Sequence, residues 1–110
     1  MPGPFLAEFE FYVMLAIAHL GDGAYGAVVR QEIEARTDRP VSIGGLYTTL
    51  ARLEAKGLLT LRTVKSEPGQ RGRARRYCRL TAAGTHAVQR SATMMSRMMR
   101  GLKLVPGTSK

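Results

Sequence analysis

Apolar residues return along the first half of the chain at helical spacing. Between Leu6 and Leu20, one stripe holds Phe9, Val13, Ala16, Ile17 and Leu20, while Phe11, Leu15 and Ala18 are apolar on the opposite side. A helix apolar nearly all round is buried on both sides. In so short a chain, the second side is expected to meet another subunit. Gly21-Asp22-Gly23 reads as a turn. Tyr25, Val28, Val29 and Ile33 then predict a helix over about 24–37, with Arg30, Glu34 and Arg36 outward. Pro40 ends it, because proline disfavours helical geometry at the preceding Arg39. Leu46, Leu50 and Leu53 recur at i, i+4 and i+7 and predict a third helix over 43–56. Ser42 is its expected N-cap, and Gly57 after Lys56 its stop. Tyr47, Thr48, Thr49 and Arg52 fall largely outside the leucine stripe.

The period then shortens. Leu59 to Lys65 is rich in Leu, Thr and Val and reads as a strand, and SEPGQRGR (66–73) as a turn-rich loop. Residues 75–80 predict a second strand, with Cys78 and Leu80 on one face and Arg75, Tyr77 and Arg79 on the other. Thr81 is placed to cap a last helix that runs to about Met99. Its stripe is Val88, Ala92, Met95, Met99 and Leu102, widened by Ala87, Met94 and Met98. Methionine packs adaptably and is common at binding surfaces. The stripe lies far along the chain, so it is expected to pack beside the first helix of a partner, with Phe9 and Val13 on the other side of that contact.

Two helices joined by a short polar turn, then a basic hairpin, have the pattern of a winged helix-turn-helix. The expected architecture is mainly α with a two-stranded β-hairpin. Residues 1–80 form the DNA-binding domain with a wing at about 66–74, residues 81–104 a dimerisation helix, and residues 105–110 a disordered tail.

A length of 110 residues implies one domain with a modest core. The single cysteine, Cys78, excludes an internal disulfide and suits a reducing compartment. No Lys or Arg precedes the first apolar run, unlike a signal peptide, and the stretch FYVMLAIAHL is about half the roughly 20 residues a bilayer crossing needs. A soluble cytoplasmic protein with no membrane partner is expected.

Charge alters the picture most. The net charge is +9 and is unevenly spread. No Lys or Arg precedes Arg30, and no Asp or Glu follows Glu67. A one-sided basic surface attracts polyanions, and arginine is favoured where phosphate is held bidentately. The outer face of the third helix, free of acidic groups, suits a DNA major groove. The hairpin would lay Arg71 and Arg73 on the phosphate backbone or in a minor groove beside it. Double-stranded DNA is therefore the expected partner. A non-specific nucleic-acid binder, RNA-associated or architectural, shares the charge and the wing and stays open as the alternative. Nothing points to an enzyme: His19 and His86 lack a paired carboxylate, and Cys78 with His86 gives too few ligands for a metal site. No cofactor is expected.

GGLYTTLARLEAKGLL followed by GRARRYCRLTAAG resembles the PadR family of bacterial winged helix-turn-helix transcriptional regulators. The likeness rests on Leu46-Tyr47, Arg52 to Glu54, Gly57 to Leu59, Arg79 to Thr81 with Gly84, and Tyr25-Gly26, and it spans about Leu6 to Gly84. The single short C-terminal helix is similar to the smaller subfamily. The resemblance implies a homodimer on a pseudo-palindromic operator, usually a repressor. It implies a DNA contact from Tyr47, with Arg71, Arg73 and Arg75 holding phosphates; the start and outer face of the third helix add Ser42, Gly44, Thr48, Thr49 and Arg52 as candidate DNA contacts. Thr48 stands where the family often has proline, and Cys78 where an aromatic is common. Some relatives bind small-molecule effectors between subunits through aromatics on the terminal helix. This helix has none, so the sequence identifies no effector.

Overall fold

A computed structural model describes residues 6–65 and 74–103. Helix α1 spans Glu8–Leu20 and leads through a 3-10 turn at Gly21–Gly23 to α2, Gly26–Thr37. Helix α3, Ile43–Ala55, is followed by strands β1, Leu59–Val64, and β2, Arg75–Leu80, and by helix α4, Ala82–Met99. The expected wing at 66–74 lies outside the described residues except for residue 74, and so do Arg71, Arg73 and the tail at 105–110. No helix among the described residues is long and apolar enough to cross a membrane.

The leucine stripe forms the floor of α3: Leu46, Leu50 and Leu53 are fully buried. They meet Val13, Met14, Ala16 and Ile17 of α1 and Val29 and Ile33 of α2 in one core. The turn between α2 and α3 is pinned from both sides. The Val41 N–H donates to Glu34 Oε2 at 2.9 Å, and Arg30 Nε donates to the Val41 carbonyl at 2.8 Å. Arg30, expected to face outward, spends its guanidinium on this turn. Ser42 caps α3 by accepting from the Gly45 N–H at 3.0 Å, and Thr81 caps α4 by accepting from Gly84 at 3.0 Å. Both are the side-chain caps the sequence predicted.

The strands pair antiparallel from Leu59 opposite Leu80 to Val64 opposite Arg75. Leu59 and Cys78 face the core. A bridge between Tyr25 and Tyr77 adds a third edge, where the Cys78 N–H donates to the Ala24 carbonyl at 2.8 Å. Burial pushes the Cys78 thiol up to about 11, so it stays protonated and packs as a small apolar group.

A buried carboxylate ties α1 to the far end of α3. Glu10 is only 4% exposed. It accepts from the Ala7 N–H at 2.9 Å at the start of its own helix and from Lys56 Nζ at 2.9 Å across the fold. Burial alone would raise its pKa, but the Ala7 N–H, Lys56 and Arg52 outweigh that and hold it below its ordinary value.

Helix α4 divides in two. Its first turns belong to the core: Gly84 and Ala87 are buried and Val88 is half-buried against the cluster. A domain boundary at residue 80 would cut through this packing, and only the later turns of α4 stand clear of the core. There Met95 and Met99 are each 52% exposed, Met98 78% and Leu102 59%. The expected partners of this stripe on α1 are corrected. Val13 has no exposed surface and cannot reach a second chain. Phe9 lies beside the start of α3, lining a groove with Pro40, Ser42 and Arg52. The residues of α1 that flank Ala92, Met95 and Met99 are Phe11 and Leu15. About half a helix turn separates the two sets, since an offset of two residues puts Phe11 and Leu15 on the side of α1 opposite the Val13 stripe.

Helix α4 is seated by a backbone contact. Gly57 takes a positive φ of 76°, open to glycine at little cost. This turns the chain so that the Leu58 carbonyl accepts from the Thr81 N–H at 3.1 Å. Thr81 Oγ1 donates to the Gly57 carbonyl at 2.7 Å. A Cβ at Gly84 would collide with the Leu58 carbonyl, so α4 can lie this close only because residue 84 has no side chain.

Two predictions follow from this packing. Gly84→Ala must push α4 off the Leu58 backbone and should cost about 3 kcal/mol, the upper end for overpacking, measured by urea unfolding; wild-type stability would show that the contact is not tight. A folded-state pKa below the unfolded one means that Glu10 adds stability above about pH 4.5 and loses it as pH falls through the lower folded value. Glu10→Gln should therefore lose about 1 kcal/mol at pH 7, and its deficit should shrink below pH 4.5; a deficit independent of pH would assign the loss to packing instead.

Candidate nucleic-acid interface

The solvent face of α3 begins at its cap. Ser42, Gly44, Thr48 and Arg52 are exposed. Nothing lies within 4 Å of the position a Cβ would take at Gly44, so the helix start is open to an approaching molecule. Ser42, Gly45, Thr48 and Arg52 line a groove of about 410 Å³ with Phe9, Pro40 and Val41, and no carboxylate lines it. The free N–H groups of the first turn add partial positive charge. Backbone donors, hydroxyls and one guanidinium thus face outward together. Thr49 lines the same groove from its floor: it is 5% exposed and lies toward the Leu46–Leu53 side. Residue 49 follows Leu46 by three and precedes Leu53 by four, which places it on the edge of the buried stripe.

Tyr47 is half-buried rather than free. Its ring packs over Gly26 at the start of α2, where any Cβ would strike the phenol oxygen. The Arg76 guanidinium sits 5.8 Å from the Tyr47 ring centre. Tyr25-Gly26 and Tyr47 are thus parts of one contact, in which the glycine provides the slot and the phenol fills it. The phenol, the start of α2 and Arg76 thus meet at one point of the surface.

The stem of the hairpin carries a second arrangement of arginine on tyrosine. Tyr25 and Tyr77 have ring centres 5.5 Å apart, tilted by 59°. Arg75 lies 4.6 Å over Tyr25, and Arg62 lies 5.8 Å over Tyr77. Contact with Tyr77, and then with Tyr25, pushes the Arg75 pKa further up. These guanidinium–ring contacts are of the cation–π kind. Arg75, expected to hold phosphate, is exposed at the open end of β2.

Sequence reasoning missed Arg76, Arg62 and the two tyrosines of the stem. Their signal lies in strand parity. Arg76 shares the face of Cys78, two residues away, but lies beyond the edge of the core and so reaches Tyr47. Among the described residues no group of three His, Cys, Asp or Glu could hold a metal ion.

Known proteins resemble this chain in sequence and in fold. The pattern of the Transcriptional regulator PadR-like family matches residues 14–90. The chain is 40% identical over 83 residues to the transcriptional regulator Rv3488 of Mycobacterium tuberculosis, covering 74% of this chain and 73% of that protein. It is 37% identical over 86 residues to an uncharacterised 37.1 kDa protein of transposon Tn4556 from Streptomyces fradiae. That match covers 77% of this chain but spans only 23% of the transposon protein. Among solved structures, a PadR-like transcription factor from Bacteroides fragilis superposes with a TM-score of 0.66 at 26% identity, covering 82% of each chain. F93 from STIV, described as a winged-helix DNA-binding protein, superposes at 0.68 over 91% of this chain and all of its own. At 17% identity, that likeness speaks for the fold alone.

Proposed function

The chain belongs to the PadR-like family of transcriptional regulators, and on that premise we propose that it is a homodimeric repressor that reads a pseudo-palindromic operator in double-stranded DNA. As a member of this family it is a regulator and not an enzyme. The observation that carries the proposal is the grouping of Ser42, Gly44, Thr48 and Arg52 on one open face of α3, with Tyr47 and Arg76 beside it.

Helix α3 enters the major groove from its N-terminal end. Thr48 and Arg52 reach base edges there, Arg52 with the donors that suit guanine or phosphate. Ser42 and the open backbone at Gly44 meet the phosphate backbone. Tyr47, braced on Gly26, presents its hydroxyl to a phosphate. Thr49, almost buried at the floor of the groove, lines it beside Thr48. The wing arginines Arg71, Arg73 and Arg75 hold phosphates next to the groove, a role that for Arg71 and Arg73 rests on the sequence.

Dimerisation joins the exposed methionine face of α4 to that of a second chain. A groove of about 590 Å³ lies between Phe11 and Leu15 of α1 and Ala92, Met95 and Met99 of α4. Exposed methionines at this density cost free energy in water and gain it in a contact. Two α3 helices would then sit about 34 Å apart, one turn of DNA, and block a promoter sterically.

One set of variants tests both halves. Arg52→Ala should lower affinity for a bound genomic duplex at least tenfold, and Tyr47→Phe, which removes the hydroxyl but keeps the packing on Gly26, severalfold, both with thermal unfolding nearly unchanged, and Arg73→Ala should reduce the salt slope by about 0.9. Met95→Lys combined with Met99→Lys should convert a dimer to a monomer in sedimentation equilibrium. Wild-type DNA affinity in both α3 variants would remove α3 from the interface, and a wild-type monomer would remove the dimer.

A further inference from the structure

The sulfur of this chain sits in two contrasting settings. Cys78 is 4% exposed, and burial pushes its thiol up to about 11, so it stays protonated and unreactive. Among the described methionines, Met14 has no exposed surface and Met94 is half-buried, whereas Met95, Met98 and Met99 are 52%, 78% and 52% exposed. Positions 95, 98 and 99 stand at i, i+3 and i+4, which puts the three thioethers side by side on one face of α4. Met95 and Met99 line the groove that Phe11 and Leu15 complete, and Met98, the most exposed of the three, does not line it. A thioether differs from the side chain of Leu or Ile in one respect that matters here: its sulfur can take up an oxygen atom.

We propose that Met95, Met98 and Met99 form a sulfoxidation site through which a peroxide controls the association of two chains. The proposal rests on the dimer argued above and adds its regulation. In the reaction, the thioether sulfur takes one oxygen atom from hydrogen peroxide. The O–O bond breaks and an S=O bond forms. The sulfur is oxidised by two electrons, and the other peroxide oxygen leaves as water with both protons. The exposures of the single protomer are the ones that count, because the oxidant reaches the sulfurs there and the dimer contact covers them.

The product is a polar, chiral group in place of a flexible apolar one. In the free protomer its oxygen is hydrated. In the contact it meets Phe11, Leu15 and Ala92, whose side chains carry no donor, and only Ser96 and Arg100 of the remaining lining groups have one. A buried acceptor short of partners is costly, so the sulfoxide form favours separated chains. Separation reaches the DNA site because each chain carries one α3. Two joined copies hold two half-sites at an effective concentration that a single copy lacks. The core is spared. Ala87, the last buried residue of α4, lies eight residues before Met95, about 12 Å at the helical rise, so the seat of α4 on Leu58 is out of reach of the reaction.

The test treats the whole chain with hydrogen peroxide, removes the excess with catalase, maps oxygen uptake by peptide mass spectrometry and measures association by sedimentation equilibrium. Met95, Met98 and Met99 should each gain one oxygen before Met14 does. The dimer dissociation constant should then rise about tenfold or more, affinity for a bound genomic duplex should fall with it, and thermal unfolding should barely move. The two methionine sulfoxide reductases, one per sulfoxide epimer, should restore the dimer. Met95→Leu, Met98→Leu and Met99→Leu combined keep the volume but remove the sulfur, and this variant should stay dimeric through the treatment although it retains Cys78 and Met94. An oxidised wild type that remains a dimer would overturn the proposal. So would a leucine variant that dissociates as the wild type does, or a wild type that the reductases do not restore. A reduced wild type that is monomeric at every concentration would instead remove the dimer itself, and the proposal with it.

Discussion

The contact between the Gly84 position and the Leu58 carbonyl sets the geometry of the rest. It occurs where the chain has just left α3 and is about to enter β1. The Leu58 carbonyl accepts from Thr81 just past β2, and Gly84, three residues after that cap, touches the same peptide. One peptide unit therefore fixes the exit of α3, the base of the hairpin and the seat of α4. Interiors are close-packed and transmit displacement rather than absorb it. Moving α4 outward by the width of a methyl group would shift Ala87 and Val88 from the core and tilt the hairpin that carries Arg75 and Arg76. The angle at which α4 leaves also determines which methionines stay bare.

Charge is divided by role along the chain. Acidic residues of the first half are spent inside the protomer. Glu10 anchors Lys56, Glu34 holds the turn before α3, and Glu54 accepts from the Leu61 N–H at 3.2 Å. Each of these bonds positions α3 or the strand after it. Several arginines of the second half find aromatic rings in place of carboxylates. A guanidinium on a ring keeps its full charge, whereas one in an ion pair is largely neutralised, so the rings order these side chains without cancelling the field that draws DNA.

Much of this was legible in the residues. The leucine stripe of α3, the caps at Ser42 and Thr81, the strand alternation through Cys78 and the family likeness are local patterns, and local patterns survive folding. The winged-helix architecture and the absence of an enzymatic role follow from them and agree with the relatives. The rest depends on three-dimensional neighbours. Thr49 is polar and lines the α3 groove, yet its position on the helix turns most of it toward the leucine stripe. Val13 and Phe9 were assigned to a partner because α1 is apolar all round, which cannot say which side its own chain covers. The burial of Glu10 had no signal beyond its place in the first turn. Arg76 shares parity with the core residues, and only the length of the sheet carries it past the core edge to Tyr47.

The central claim is that this surface recognises a particular DNA sequence rather than negative charge alone. The most direct measurement is anisotropy with the DNA upstream of the protein's own coding sequence, beside a scrambled duplex of equal composition, at two salt concentrations, with a genome-wide selection of bound fragments to supply the target if the upstream DNA is not it. The account predicts a preference of about a thousandfold or more at moderate salt, the range of specific regulators. Equal and steeply salt-dependent binding to selected and scrambled duplexes alike would contradict it and leave charge as the whole of the attraction.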